Sequence, residues 1–245
     1  MPKTDCFLIG HNEFSISRNK RMLLYLYGRE SLEYRDRMKY NLSQLQWQGK
    51  RYTPVAMFNH IQRENNGTSA KPLSIITESF NLAIGYLGNF LQQSGFSFDF
   101  INSFQEEKEA LKEKLLRDEI RSIGIVTTYY LSHYPVFDIV SFVRRYHKPV
   151  PIIVGGPFVI NKVTGTAPDK LSDLFRAGGA DYYIKDPSGE DILRDLLGNI
   201  KAGTAPDDVR NLYVRSENDY QFTFERNQAY DFNANQIDWD LFAGR

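Results

Sequence analysis

Five short segments of this sequence gather residue types that hold ligands: Gly10-His11-Asn12-Glu13, Asn102-Ser103-Phe104, Thr127-Thr128-Tyr129-Tyr130-Leu131-Ser132, Gly155-Gly156-Pro157-Phe158 and Asp186-Pro187-Ser188-Gly189-Glu190. Together they offer small and hydroxyl-bearing side chains, glycines that let a ligand approach the main chain, and neighbouring aromatics. Such a set suits a bulky, flat, partly polar ligand better than a small ion. Glu13, Asp186 and Glu190 have the chemistry of general acids or bases, but no matched partner is visible for any of them. Neither the GxGxxG spacing of a dinucleotide fold nor a GxxxxGK phosphate loop occurs, which argues against NAD- or ATP-dependent chemistry.

Each of these segments follows a short apolar run. Asp5 to Ile9, Phe96 to Ile101, Ile123 to Val126, Pro151 to Val154 and Asp181 to Ile184 read as buried strands. Between them lie amphipathic stretches. Ser74 is placed to cap a helix carrying Ile76, Phe80, Ala83, Ile84, Leu87 and Leu91, which Gly95 ends. Ser103 and Glu106 form a capping-box pattern before a charged helix, and Pro135 suits the first turn of a helix with Ile139, Val140, Val143 and Tyr146. Leu171, Leu174 and Phe175 mark a short helix closed by Gly178-Gly179, and Ser188 is placed to cap one with Ile192, Leu193, Leu196, Leu197 and Ile200.

The fold class expected is α/β: a doubly wound, flavodoxin-like or Rossmann-like parallel five-stranded sheet with helices on both faces. Residues 12–71 read as a helical insertion or lid, with a helix near Ser31 to Leu45, a turn at Gly49 and a loop from Glu64 to Ser69. Residues 1–11 supply the first strand, 72–205 the rest of the ligand-binding domain, and 206–245 a β-hairpin (Asn211 to Val214, Tyr220 to Phe224) and a linker. In such sheets ligands bind at the carboxyl ends of the strands, where strand order reverses, and that is where the five segments fall.

Lys plus Arg equals Asp plus Glu at 30 each, so no global attraction to nucleic acid or an anionic membrane is implied. No stretch approaches the ~20 apolar residues of a membrane span, and the first residues lack the apolar core of a signal peptide. The cytoplasm is the expected compartment. Cys6 is the single cysteine, which excludes an internal disulfide, a thiolate zinc cluster and a four-cysteine iron–sulfur site within these residues.

Three strings, in order and spacing, resemble the cobalamin-binding domain of cobalamin-dependent radical S-adenosylmethionine (SAM) methyltransferases: Ile123 to Pro135 (IGIVTTYYLSHYP), Ile152 to Val159 (IIVGGPFV), and Gly179 to Ile184 (GADYYI) followed by Gly189-Glu190. Asp5 to Glu13 (DCFLIGHNE), Phe100 to Lys108 (FINSFQEEK) and Asp238 to Phe242 (DWDLF) resemble the phosphinate P-methyltransferase branch of that family. The resemblance covers nearly the whole chain and implies cobalamin as cofactor. Thr127, Thr128, Tyr129, Leu131 and Ser132, with Gly155, Gly156, Pro157 and Phe158, would line the pocket for the nucleotide tail and the corrin edge. Asp186, Ser188, Gly189 and Glu190 would close the other side, and Ser103 completes the candidate set. The resemblance also implies a radical SAM domain, in cis or in trans, which would hold the iron–sulfur cluster and S-adenosylmethionine; its CxxxCxxC motif is not in this sequence.

The sequence departs from the DxHxxG pattern in which a histidine ligates cobalt. It reads Ile9-Gly10-His11-Asn12-Glu13-Phe14, with neither the aspartate nor the glycine of that pattern. His11 is either a cobalt ligand or a turn residue bonded to the main chain. Two rivals from other classes stand beside the cobalamin module: a flavodoxin-like regulator that binds flavin or phosphate, and a cofactor-free module that pairs with a separate radical SAM protein.

Overall fold

The computed structural model describes residues 3–12, 24–25, 28–31, 34–35, 45–52, 54–66, 79–130, 132–147, 149–217, 219–227 and 235–243. The chain divides into two compact units, one of Met1–Glu13 with Phe80–Arg245, the other of Phe14–Ser79. Strand β1 (Cys6–His11) opens the first unit.

In the second unit, β2 (Leu45–Trp47) and β3 (Lys50–Tyr52) pair antiparallel about a Gln48-Gly49 turn, and α1 (Pro54–Asn66) follows. The ring of Tyr52 stacks on His60 at 5.1 Å, and His60 meets Glu64 one turn later at 3.4 Å. The helix expected near Ser31 to Leu45 falls mostly outside the described residues, and Leu45 itself lies in a strand. Of the expected loop, Glu64 to Asn66 complete α1, and Gly67, Thr68 and Ser69 lie outside the described residues.

The first unit resumes with α2 (Leu82–Gln93), β4 (Phe98–Ser103), α3 (Phe104–Leu116), β5 (Ile123–Val126), α4 (Tyr134–Tyr146), β6 (Ile152–Gly155), α5 (Pro157–Gly165), α6 (Pro168–Gly178), β7 (Tyr182–Ile184), α7 (Glu190–Ala202), β8 (Leu212–Arg215) and β9 (Tyr220–Phe222). A short 3-10 turn at Trp239–Phe242 comes last. The sheet runs β4-β1-β5-β6-β7-β8-β9, with the first five strands parallel and the last two antiparallel.

The sheet thus has seven strands, not five. The hairpin is part of it: Leu212 lies opposite Ile184 and Val214 opposite Tyr182. The outer edge of β7 would otherwise present unpaired backbone groups, and β8 satisfies them. Numbered by occurrence, the five parallel strands lie in the order 2-1-3-4-5, so the winding changes direction between β1 and β5.

Side chains of the central strands alternate between two cores. Phe7, Ile9, Ile123, Ile125, Ile152, Val154 and Tyr183 pack beneath α3, α4, α5 and α6. Cys6, Leu8, Val126, Ile153 and Ile184 pack beneath α2 and α7 with Ile84, Leu91, Leu193 and Leu196. Cys6 is 0% exposed in β1, which lies between β4 and β5.

Three helix starts differ from the sequence reading. Helix α2 begins at Leu82 with Asn81 as its cap, the Asn81 side chain accepting from the Ala83 N–H at 3.1 Å; Ser74 lies outside the described residues. At α3 it is Glu107, not Glu106, that reaches back to the Ser103 N–H, at 2.7 Å. At α7 the cap position is Gly189, because the Asp186 carboxylate already accepts the Ser188 N–H at 2.9 Å and shapes the turn one residue earlier.

The segment at 235–243 is tied to α2. Asn89, buried in that helix, donates to Asn235 and to the Gln236 carbonyl (2.7 Å) and accepts from the Asp238 N–H (3.2 Å). Phe242 then packs among Phe80, Phe98 and Phe100. Among the described residues, no helix is long and apolar enough to cross a membrane.

Candidate functional site

A cavity of about 160 Å3 lies at the carboxyl ends of the parallel strands, on the face covered by α2 and α7. Leu8, Gly124, Val126, Ile153 and Ile184 from four strands make its base. Ala83, Tyr86 and Leu87 from α2 and Leu193 from α7 make its walls. Its rim is Thr128, Gly155-Gly156-Pro157, Asp186-Pro187 and Gly189-Glu190. The volume is close to the ~150 Å3 of an apolar cavity that takes a benzene ring, so one flat aromatic group fits below the rim.

The rim is built by backbone geometry. Gly156 has φ 104° and ψ −171°, a conformation essentially restricted to glycine, and a Cβ there would stand 3.0 Å from Thr127 Oγ1. Its geometry lets β6 pass directly into α5, with Pro157 in the first turn. Thr127 is fully buried; its hydroxyl donates to the Gly155 carbonyl at 2.7 Å and its N–H to the same oxygen at 3.1 Å. The Thr127 hydroxyl is therefore engaged within the protein, while Thr128 lines the cavity.

Asp186 organises the opposite rim. Besides the Ser188 N–H it accepts from Asn211 Nδ2 at 2.7 Å, and Asn211 holds a positive φ of 52°. Ser188 lines a second cavity of about 360 Å3 that shares Asp186 and Pro187 with the first and is bordered by Lys185, Asn211 and Glu225.

Two polar atoms on the walls stand out. Glu190 is 8% exposed, and its Oε2 is buried without a hydrogen-bond partner. Burial raises its pKa; its own backbone N–H opposes that shift, and the neighbouring charges of Asp186 and Asp191 add to it. The hydroxyl of Tyr86, on α2, is likewise buried with no partner. Buried polar groups in folded proteins are nearly always paired, so two orphans on residues that line one cavity, one from α2 and one from α7, point to a ligand that pairs them.

Of the residues singled out in the sequence, Thr128, Gly155, Gly156, Pro157, Asp186, Gly189 and Glu190 converge on this cavity. Others stand elsewhere. Phe158 points into the core of the opposite face. Ser103 ends β4, opposite His11 in register. His11 follows Phe7 and Ile9 in the alternation of β1 and so lies on the face away from the cavity, its ring 5.1 Å from Tyr129. Tyr129 is 49% exposed, whereas Tyr130 is buried and donates to the Gly10 carbonyl. Ser132 is half-buried outside the lining, and Leu131 lies outside the described residues.

Sequence reasoning missed Ala83, Tyr86 and Leu87. Ala83 and Leu87 belong to the apolar stripe of α2, which reads as core packing, and Tyr86 was not singled out. The available signal was a tyrosine beside that stripe, since its hydroxyl needs a partner when buried.

No family model and no curated protein matches the chain. Among solved structures it is similar to the radical S-adenosylmethionine methyltransferase TsrM from Kitasatospora setae. The structure of that enzyme with cobalamin and a 4Fe-4S cluster matches at a TM-score of 0.49 and 18% identity, over 68% of this chain and 30% of that one. Its structure with tryptophan substrate and the SAM analogue aza-SAM matches at 0.48 and 18%, over 62% and 28%. The chain spans less than a third of these proteins.

Proposed function

We propose that this chain is a corrinoid-binding module that serves methyl transfer, with cobalamin as the group it holds. One observation carries the reading: at the carboxyl ends of a doubly wound sheet there is an apolar slot of one aromatic ring's size, with a glycine-bared rim and unpartnered polar atoms on its wall. The motifs at Ile123 to Pro135, Ile152 to Val159 and Gly179 to Glu190 supply three sides of that slot and resemble cobalamin-binding domains.

The slot would hold the nucleotide tail, and Gly155-Gly156-Pro157 and Asp186 to Glu190 would line the corrin edge. At these rims the exposed main chain offers hydrogen bonds to the corrin amides. Leu8, Val126, Ile153, Ile184 and Leu193 exclude water from the tail. When bound, the corrinoid supplies the chemistry of methyl transfer, and the protein's part is to hold and orient it. His11, on the far face, is not the cobalt ligand. The iron–sulfur cluster and S-adenosylmethionine belong to a radical SAM domain that works with this module in cis or in trans, because a single cysteine cannot ligate the cluster.

The test is retention. Purified protein is mixed with hydroxocobalamin, desalted, and its visible spectrum recorded. A retained corrin spectrum is expected. A yellow flavin in the purified protein would replace this reading with the flavodoxin-like one. No chromophore, together with capture of a cluster-bearing partner, would replace it with a cofactor-free interaction module. An unchanged cobalt spectrum in His11→Ala is expected as well, and an altered one would make His11 a ligand.

A further inference from the structure

The orphaned atoms say more than that a ring is bound. Four polar side chains line the cavity: Thr128 is exposed, Asp186 is engaged by Ser188 and Asn211, and Tyr86 and Glu190 each keep a buried polar atom with no partner inside the protein. An apolar ring would leave both unpaired and further desolvated. A ring with an in-plane acceptor would pair at least one of them. Tyr86 has an O–H to give, and burial favours the protonated Glu190 carboxyl, which has another.

We infer that Tyr86 and Glu190 read a ring nitrogen, so that the cavity selects corrinoids whose nucleotide tail ends in a nitrogen heterocycle over those whose tail ends in a phenol. This rests on the corrinoid reading above. A benzimidazole released from cobalt exposes one ring nitrogen as an acceptor, and a phenol joined to the tail through its oxygen exposes none. The benzimidazole is a fused bicycle and larger than the cresol ring, so part of any difference in binding comes from apolar area; the share that comes from the hydrogen bond, and from the cost of leaving its partner bare, is the share lost when Tyr86 or Glu190 is replaced.

Equilibrium dialysis of the full chain, read at the corrin absorbance, tests this with three probes: cobalamin, its p-cresol-tailed analogue, and cobinamide, which has no tail base. Cobalamin is expected to bind roughly tenfold or more tighter than the p-cresol analogue. Tyr86→Phe and Glu190→Leu should each shrink that ratio. Glu190→Gln, whose amide still donates, should keep it. The ligand-free Tyr86→Phe protein should also melt about 2–4 °C higher, because a buried orphan has been removed.

Equal affinity for the two tailed corrinoids, or a ratio that survives both Tyr86→Phe and Glu190→Leu, would overturn the inference and leave the corrinoid reading standing. Cobinamide binding as tightly as cobalamin would show the tail outside the cavity and overturn the inference too. Failure of all three probes to bind would overturn the corrinoid reading itself.

Discussion

The phenol of Tyr130 donates to the carbonyl oxygen of Gly10 across 2.7 Å, and the bond is buried. The two residues follow or end β5 and β1, the neighbouring strands between which the winding changes direction. The bond therefore ties β1, near its carboxyl end, to the segment that follows β5. Tyr130→Phe keeps the ring and removes only the bond. It should destabilise the protein by about 1–2 kcal/mol, read as a lower urea midpoint at unchanged slope.

Gly156 carries the backbone conformation that joins β6 to α5. Gly156→Ala places a methyl group 3.0 Å from Thr127 Oγ1 and forces a strained φ. A stability loss of about 1–3 kcal/mol is expected, with loss of hydroxocobalamin retention even below the melting temperature. Full retention in this variant would place the corrin away from this rim.

Ala83 faces the cavity from α2, a helix whose core contacts come from Ile84 and Leu91. Ala83→Phe should fill the slot with the protein's own ring. The expected outcome is an unchanged circular dichroism spectrum, with the tail unable to enter and cobalamin affinity falling to that for cobinamide.

The raised pKa of Glu190 makes stability depend on pH with a definite sign. The folded state binds this proton more tightly than the unfolded chain does, so the carboxyl's contribution is most favourable below its ordinary value of 4.5 and is lost as pH rises through the folded value. Glu190→Gln should therefore be more stable than the parent at neutral pH. That advantage should shrink on acidification toward pH 4.5. An advantage that grows on acidification would mean the carboxyl is stabilised in its charged form.

Asn89 anchors the segment at 235–243 through its side-chain amide. Asn89→Ala should speed amide hydrogen exchange at Asp238 and along Trp239–Phe242, at a cost of about 1–3 kcal/mol, while β5 and β6 keep their protection.

The inner parallel strands were legible because they are short apolar runs, as in Ile123 to Val126, which is buried throughout; β4, at the sheet edge, carries Asp99 and is only partly buried. The place of β8 and β9 was not. Their alternation marks a hairpin, but pairing of Leu212 with Ile184 depends on which sheet edge is free, which no local pattern encodes. Cap residues were ambiguous for a related reason. Asn81 and Ser74 have the same local chemistry, and so do Glu106 and Glu107; register within the folded helix decides between them. The rim glycines could be found because φ requirements are written in residue type. The α2 wall could not, since Leu87 lines a cavity and Ile84 a core at neighbouring positions of one apolar stripe.

The sole thiol lies in β1, fully enclosed, with its pKa pushed up to about 12 by burial. It cannot react until the middle of the sheet comes apart. The rate at which a thiol reagent modifies the protein is thus a clock for opening of the central strand, with no label introduced and no second cysteine to confuse the signal. Any small molecule that occupies the slot above Leu8, two residues along the same strand, will slow that clock by the factor by which it favours the closed form. Candidate ligands can be ranked by this protection alone, coloured or colourless.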